Sequence, residues 1–169
     1  VRRAALLHDI GKIGVPDSIL FKPEPLRGED LEKMRAHAAI GARIAEKAGI
    51  LRSAVPAILA HQERWDGATE GPFPGYPQGL RGDAIPLASR IIAVADAWDT
   101  MTTNRPYRRA LGRERALAVL AEERDRQFDP LVVDAFLADL EDRRHRRATE
   151  AFSIRDLVAE TDAPPPGRT

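Results

Sequence analysis

Pro86-Leu87-Ala88-Ser89-Arg90-Ile91-Ile92-Ala93-Val94-Ala95-Asp96-Ala97-Trp98-Asp99 decides the fold class. Its centre, Ile91-Ile92-Ala93-Val94, has the apolar, β-branched density of a buried strand. Its setting argues for a helix. Proline stands at the favoured first-turn position, and an alanine-rich continuation carries the segment on toward Thr102, longer than a buried strand runs. With this stretch read as helix, no segment alternates apolar and polar residues between turn signals as strands do. The predicted fold is all-α.

The neighbouring segments fit that reading. Arg2 to Asp9 reads as the last turns of a buried helix stopped by Gly11. Val15 to Leu20 is a turn feeding a short helical segment, and Lys22 to Gly28 a Pro-containing loop. Glu29 to Ala48 reads as one amphipathic helix with Leu31, Met34, Ile40 and Ile44 at helical spacing, ended by Gly49. Ser53 to His61 is a second apolar helix. Arg113 to Arg124 and Pro130 to about Arg144 are further helices, and Ser153 caps a short last one ending near Ala159. Between Asp66 and Gly82 lies a long Gly/Pro-rich loop with Phe73 and Tyr76, of a length that is usually functional. The expected organisation is one domain over 1–150, then a short helix and a Pro-rich tail over 151–169.

The chain has 169 residues, 26 Lys plus Arg against 26 Asp plus Glu, and no cysteine. Balanced charge gives no global basic field to recruit a DNA or RNA polymer or an anionic membrane. Thiolate metal sites, disulfides and cysteine nucleophiles are excluded. No apolar run approaches the roughly 20 residues of a membrane span. The expected compartment is the cytoplasm, and the start at Val1, already inside a helix, reads as a fragment of a longer protein.

His8-Asp9 pairs an imidazole, which suits transition metals, with a carboxylate able to bridge two ions. His37 lies three residues from both Met34 and Ile40, on the inner face of its helix, and His61 ends an apolar one. Asp96 sits amid apolar residues, where a carboxylate is costly to bury unless paired or metal-bound. A single inward histidine is more often a hydrogen-bonded core residue. Three, with two aspartates, on separate helices point to a metal site. Lys12 beside it suggests an anionic substrate, phosphate foremost. Asn104-Arg105-Pro106-Tyr107-Arg108-Arg109 is by itself a solvated turn, and beside a metal cluster an anion clamp. Glu122 to Arg126, and Arg143 to Arg147 with His145, read as solvent-facing runs.

Taken in order, His8-Asp9-Ile10-Gly11-Lys12, His61-Gln62-Glu63-Arg64-Trp65-Asp66-Gly67, Gly75-Tyr76-Pro77, Asp96 and Arg105-Pro106-Tyr107-Arg108 resemble the HD-GYP family of bacterial cyclic di-GMP phosphodiesterases. This is a branch of the HD-domain metal-dependent phosphohydrolases, and the likeness covers about Ala4 to Leu137. It implies an HD-domain-like helical bundle with two divalent transition-metal ions, iron or manganese. It implies hydrolysis of cyclic di-GMP to linear pGpG and onward to GMP. His8, Asp9, His37, His61 and Asp96 would be the ligands, with Asp9 bridging. Asp9 and Lys12 would be catalytic groups, Lys12, Arg105 and Arg108 phosphate contacts, and Tyr76 part of the guanine pocket.

Three departures from the family pattern stand out. The family carries a further ligand histidine on a helix upstream of the His-Asp pair, a position that precedes Val1. Gln62 stands where the family has a histidine, which disfavours a third metal. Ala68 to Pro74, seven residues, stand where the family usually has one. The alternative reading is a degenerate domain that binds a cyclic dinucleotide or a protein partner without turnover. In either case the resemblance implies an upstream sensory or receiver domain, as in two-component signalling. Amide oxygen is a weak ligand beside imidazole. Gln62→His is therefore expected to raise the metal-to-protein ratio, checked by elemental analysis.

Overall fold

A computed structural model describes residues 1–49, 51–104 and 109–161, with side chains described through 146. Eight α-helices lie among the described residues: α1 (Arg2–Leu7), α2 (Asp17–Leu20), α3 (Gly28–Arg35), α4 (His37–Lys47), α5 (Val55–Leu59), α6 (Leu87–Thr102), α7 (Arg113–Glu122) and α8 (Pro130–Thr161). Short 3-10 turns stand at Ile10–Gly14, Arg52–Ala54 and Gly82–Ala84. Among the described residues β-type pairing is limited to one isolated bridge between Arg124 and Phe128. The all-α reading holds, and the segment after Pro86 is a helix buried at Ser89, Ile92, Val94 and Met101.

Val1–Val133 is one compact unit and Asp134–Thr169 a second. In the second, α8 continues without a break through Thr161, so the separate helix expected from Ser153 is the end of a longer one. The first unit has a core built largely from small side chains: Ala4, Ala45, Ala54 and Ala57 around Ile58 and Ile92. Alanine there brings helix axes close, and the Ser89 hydroxyl donates to the Ala57 carbonyl at 3.2 Å across that contact. Asp129, buried, receives Arg90 Nη1 at 2.8 Å and the Leu131 amide at 2.8 Å. It thereby caps the start of α8 and neutralises a half-buried guanidinium.

Three expectations need correction. The helix read as continuous from Glu29 to Ala48 is two helices with Ala36 between them. At that break the His37 ring turns back to the Met34 carbonyl, a local side-chain bond of the kind that competes with a helical ladder. The buried face of α4 is not Ile40 and Ile44 but His37, Ala38, Gly41, Ala42 and Ala45. Those small residues admit the 3-10 turn Ile10–Gly14, which packs directly on α4. Finally, α1 stops at Leu7 and turns only Ala4 and the partly buried Leu7 to the core, its other residues being exposed, so Gly11 ends no fully buried helix.

Gly11 has a different task. It is not among the glycines with positive φ. A Cβ there would overlap the His37 carbonyl oxygen and lie 2.5 Å from the Gly41 nitrogen. Both are backbone atoms that cannot swing aside, so the residue is glycine because two backbones touch. Gly11→Ala is expected to lower unfolding free energy by about 3 kcal/mol, read from urea denaturation, because the turn must lift off α4.

Candidate functional site

Four stretches deliver the site side chains. His8 and Asp9 leave the end of α1, Lys12 follows in the 3-10 turn, His37 opens α4, His61 lies two residues beyond α5, and Asp96 sits in α6. The three histidines are held in the same way. His8 Nδ1 meets the Ala5 carbonyl at 2.8 Å, His37 Nδ1 the Met34 carbonyl at 2.8 Å, and His61 Nδ1 the Ile58 carbonyl at 2.7 Å. A carbonyl oxygen only accepts, so each Nδ1 carries the hydrogen and each Nε2 presents a lone pair.

Those lone pairs converge. His37 Nε2 and His61 Nε2 are 3.2 Å apart. Asp9 Oδ1 is 3.4 Å from His37 Nε2 and 4.0 Å from His61 Nε2, while Asp9 Oδ2 is 3.5 Å from His8 Nε2 and 2.5 Å from Lys12 Nζ. Asp96 Oδ1 lies 3.9 Å from His8 Nε2. Between neutral rings the His37–His61 approach is not a hydrogen bond, since both hydrogens are committed elsewhere. Two lone pairs facing at that distance repel unless a positive charge stands between them.

A proton is the disfavoured choice. Burial drives the His61 imidazole down from its ordinary 6.5 to about 4, and burial also lowers His37. For Asp9, burial pushes the carboxyl up, but the hydrogen bond and charge of Lys12, with His8 and His37, hold it net below the usual range. At neutral pH the Asp9 carboxylate therefore faces the unprotonated Nε2 atoms of His37 and His61, which fits a divalent cation. Ligand atoms of His8, Asp9 and His61 all lie within 4.8 Å of one another. Nitrogen and carboxylate donors without sulfur suit transition-metal ions. The two Asp9 oxygens face different imidazoles, as a shared carboxylate requires.

His61 and Asp96 line a cavity of about 760 Å³, within the range typical of ligand pockets. Asp96 reaches it half-exposed, with 38% of its side chain open, so the expected cost of burying that carboxylate does not arise. Tyr76 packs edge-on to His37, ring centroids 6.3 Å apart, and burial raises its phenol to about 12. Arg105 and Arg108 lie outside the described residues. Of the residues on either side of them, the Ala110 amide donates to Asn104 Oδ1 at 2.8 Å.

Several contributors were not legible in the sequence. Arg35, read only as a helix residue, sets its guanidinium over the Tyr76 ring at 5.4 Å. Glu63, 5% exposed, accepts the Gln78 amide at 2.7 Å and the Leu80 amide at 3.1 Å, which fixes the backbone just after Gly75-Tyr76-Pro77. Its signal was a carboxylate two residues beyond the candidate ligand His61. The run Glu122 to Arg126 is exposed as expected, apart from half-buried Glu123, but it also docks the segment after His61. Glu123 pairs with Arg64 at 3.7 Å, Asp125 accepts Trp65 Nε1 at 3.1 Å, and the Arg126 carbonyl accepts the Asp66 amide at 2.8 Å.

Comparison with known proteins agrees with this geometry. The HD-domain family model matches residues 1–132. A probable cyclic di-GMP phosphodiesterase of Vibrio cholerae is 42% identical over 145 residues, which is 81% of this chain and 32% of that protein. The cyclic di-GMP phosphodiesterase response regulator RpfG of Xanthomonas campestris is 44% identical over 139 residues, 81% of this chain and 35% of that protein. The crystal structure of a cyclic GMP-AMP-specific phosphodiesterase from Vibrio cholerae superposes with a TM-score of 0.62 at 23% identity. That superposition covers 96% of this chain and 42% of the other, and at this identity it speaks to fold alone. The chain spans about a third of the length of the curated relatives it matches.

The histidine burial sets a pH dependence. The unfolded His61 takes a proton near 6.5, the folded one near 4. Between those values the unfolded state binds more protons, so stability falls as pH drops through the window. Thermal melts of the chelator-treated chain should show a Tm that declines from pH 6.5 to 4. His61→Asn should flatten that decline; an unchanged slope would contradict the burial argument.

Proposed function

The chain belongs to the HD-domain family, in its HD-GYP branch, and from that premise we propose that it is a metal-dependent phosphodiesterase opening cyclic di-GMP to linear pGpG and then to GMP. The convergence of the His8, His37 and His61 Nε2 atoms on the two oxygens of Asp9, beside a cavity of about 760 Å³ that His61 lines, carries the reading. His8, Asp9, His37, His61 and Asp96 would hold two divalent ions, iron or manganese, with Asp9 shared. Gln62 in place of an imidazole favours two ions over three. When bound, the ions supply Lewis acidity toward phosphate oxygens and a water-derived nucleophile at neutral pH.

The chain's own groups do the rest. The Nδ1–H···carbonyl bonds hold the three rings in one tautomer before any ligand arrives, so little reorganisation is needed on binding. Lys12, hydrogen-bonded to Asp9 Oδ2, offers an ammonium beside the point where phosphate charge would gather. Arg105 and Arg108 are assigned to the phosphates as bidentate donors. Tyr76, braced by Arg35 and kept protonated by burial, presents a neutral phenol and a ring edge to the guanine end. A relative described as a response regulator supports a place downstream of a receiver or sensory domain in a cytoplasmic signalling protein.

The test is anaerobic loading with Mn²⁺ or Fe²⁺, followed by chromatography of cyclic di-GMP reactions. Turnover to pGpG is expected, with a loss on the order of a thousandfold or more in kcat for Asp9→Ala. Tight binding of the dinucleotide with no turnover under either metal would instead assign the chain as a non-catalytic receptor.

A further inference from the structure

Phe73 is one of several large apolar side chains that the fold leaves exposed. It is 74% exposed, yet it lines the same cavity as His61 and Asp96. A single exposed aromatic needs no explanation in general. What distinguishes this one is how firmly it is held there. Pro72 and Pro74 bracket it; the first has its own φ fixed, and the second restricts Phe73 to extended backbone.

The stretch that carries it is closed at its neck, where the Gly75 amide donates to the Ala68 carbonyl at 2.7 Å. Arg64 Nη1 donates to the Phe73 carbonyl at 3.3 Å. Arg64 is itself locked by two bonds to Asp66, at 3.0 and 2.7 Å, and Asp66 also takes the Ala68 amide at 3.0 Å. Gly75 belongs to this lock, because a Cβ there would come within 2.7 Å of the Arg64 nitrogen. These restraints hold a side chain that buries little of itself, so its own transfer free energy is not what maintains them. A rigid aromatic face at a cavity mouth is a stacking surface assembled before its ligand arrives.

We propose that Phe73 is a stacking platform for one purine base of the cyclic dinucleotide. It is an affinity element contributed by the segment Ala68 to Pro74, where the chain departs from the family pattern. The inference rests on the proposed function and deepens it by assigning a second base subsite. Tyr76 lies against His37 at the metal end, whereas Phe73 stands at the exposed lip. A cyclic dinucleotide carries two bases on one ring, so two aromatic positions in one cavity match its two ends. Every base has a π-face, so stacking strengthens binding without choosing between guanine and adenine.

The experiment uses the full manganese-loaded chain. KM is measured with cyclic di-GMP and Kd with its hydrolysis-resistant phosphorothioate analogue. Phe73→Ala is expected to raise both about tenfold while manganese content stays constant. Phe73→Trp should restore them, and its added indole emission should be quenched as the analogue binds. Replacing Ala68 to Pro74 by a single residue should raise Kd as Phe73→Ala does, which guards against an artefact of one variant. Unchanged KM and Kd in Phe73→Ala, with no quenching in Phe73→Trp, would overturn the platform while leaving the phosphodiesterase reading intact. A wild-type chain that neither cleaves nor binds the dinucleotide would overturn both.

Discussion

A backbone carbonyl three residues behind each site histidine takes its Nδ1–H: Ala5 for His8, Met34 for His37, Ile58 for His61. Each bond fixes a ring's orientation and its tautomer together. The three Nε2 atoms are then forced toward a common carboxylate, and for His37 and His61 burial removes the proton that could have relieved their repulsion. What remains is a small volume with a strong preference for a multivalent cation. The rest of the cavity opens beside this electrostatic sink, through His61 and Asp96.

Building that sink required two backbones to meet. The turn carrying Asp9 and Lys12 lies on α4 at Gly11 and Gly41, with no room for a side chain at the first. Ala38, Ala42 and Ala45 extend the same logic along α4, giving up apolar area for closeness. Larger side chains there would have buried more surface, at about 25 cal/mol per Å², and moved Asp9 away from His37. The fold sacrifices core volume in the helix that holds His37 in order to set a carboxylate 3.4 Å from its ring.

The opposite wall of the cavity is held by polar bonds rather than by packing. Glu63 anchors the chain after Tyr76, Arg64 anchors the chain before it, and the segment Glu123 to Gln127 receives both Trp65 and Asp66. A loop rich in glycine and proline has little apolar surface to bury, so its order has to come from hydrogen bonds and ion pairs. One wall is thus fixed by close steric contact and the other by directional polar contacts. This division suits a site whose histidine end demands fixed donor positions while its lip stays polar and solvent-accessible.

Much of this was present in the one-dimensional pattern. The helix opened by Pro86, the long loop and the set His8, Asp9, His37, His61 and Asp96 could be named from spacing and residue chemistry. Helical periodicity is a local property, and imidazole and carboxylate carry their donor chemistry wherever they sit. Other features were misread for one shared reason. The break at Ala36, the contact made by Gly11, the docking of Glu123 and Asp125, and the anchoring by Glu63 are all decided by partners distant in sequence. A linear pattern records which face of a helix is apolar, but not how near another backbone comes or which distant amide a buried carboxylate finds. The sequence alone determined the helical class and the donor atoms available. Only the tertiary structure decided that those donors share one point, because convergence is set by the angles and separations of helices that no single segment encodes.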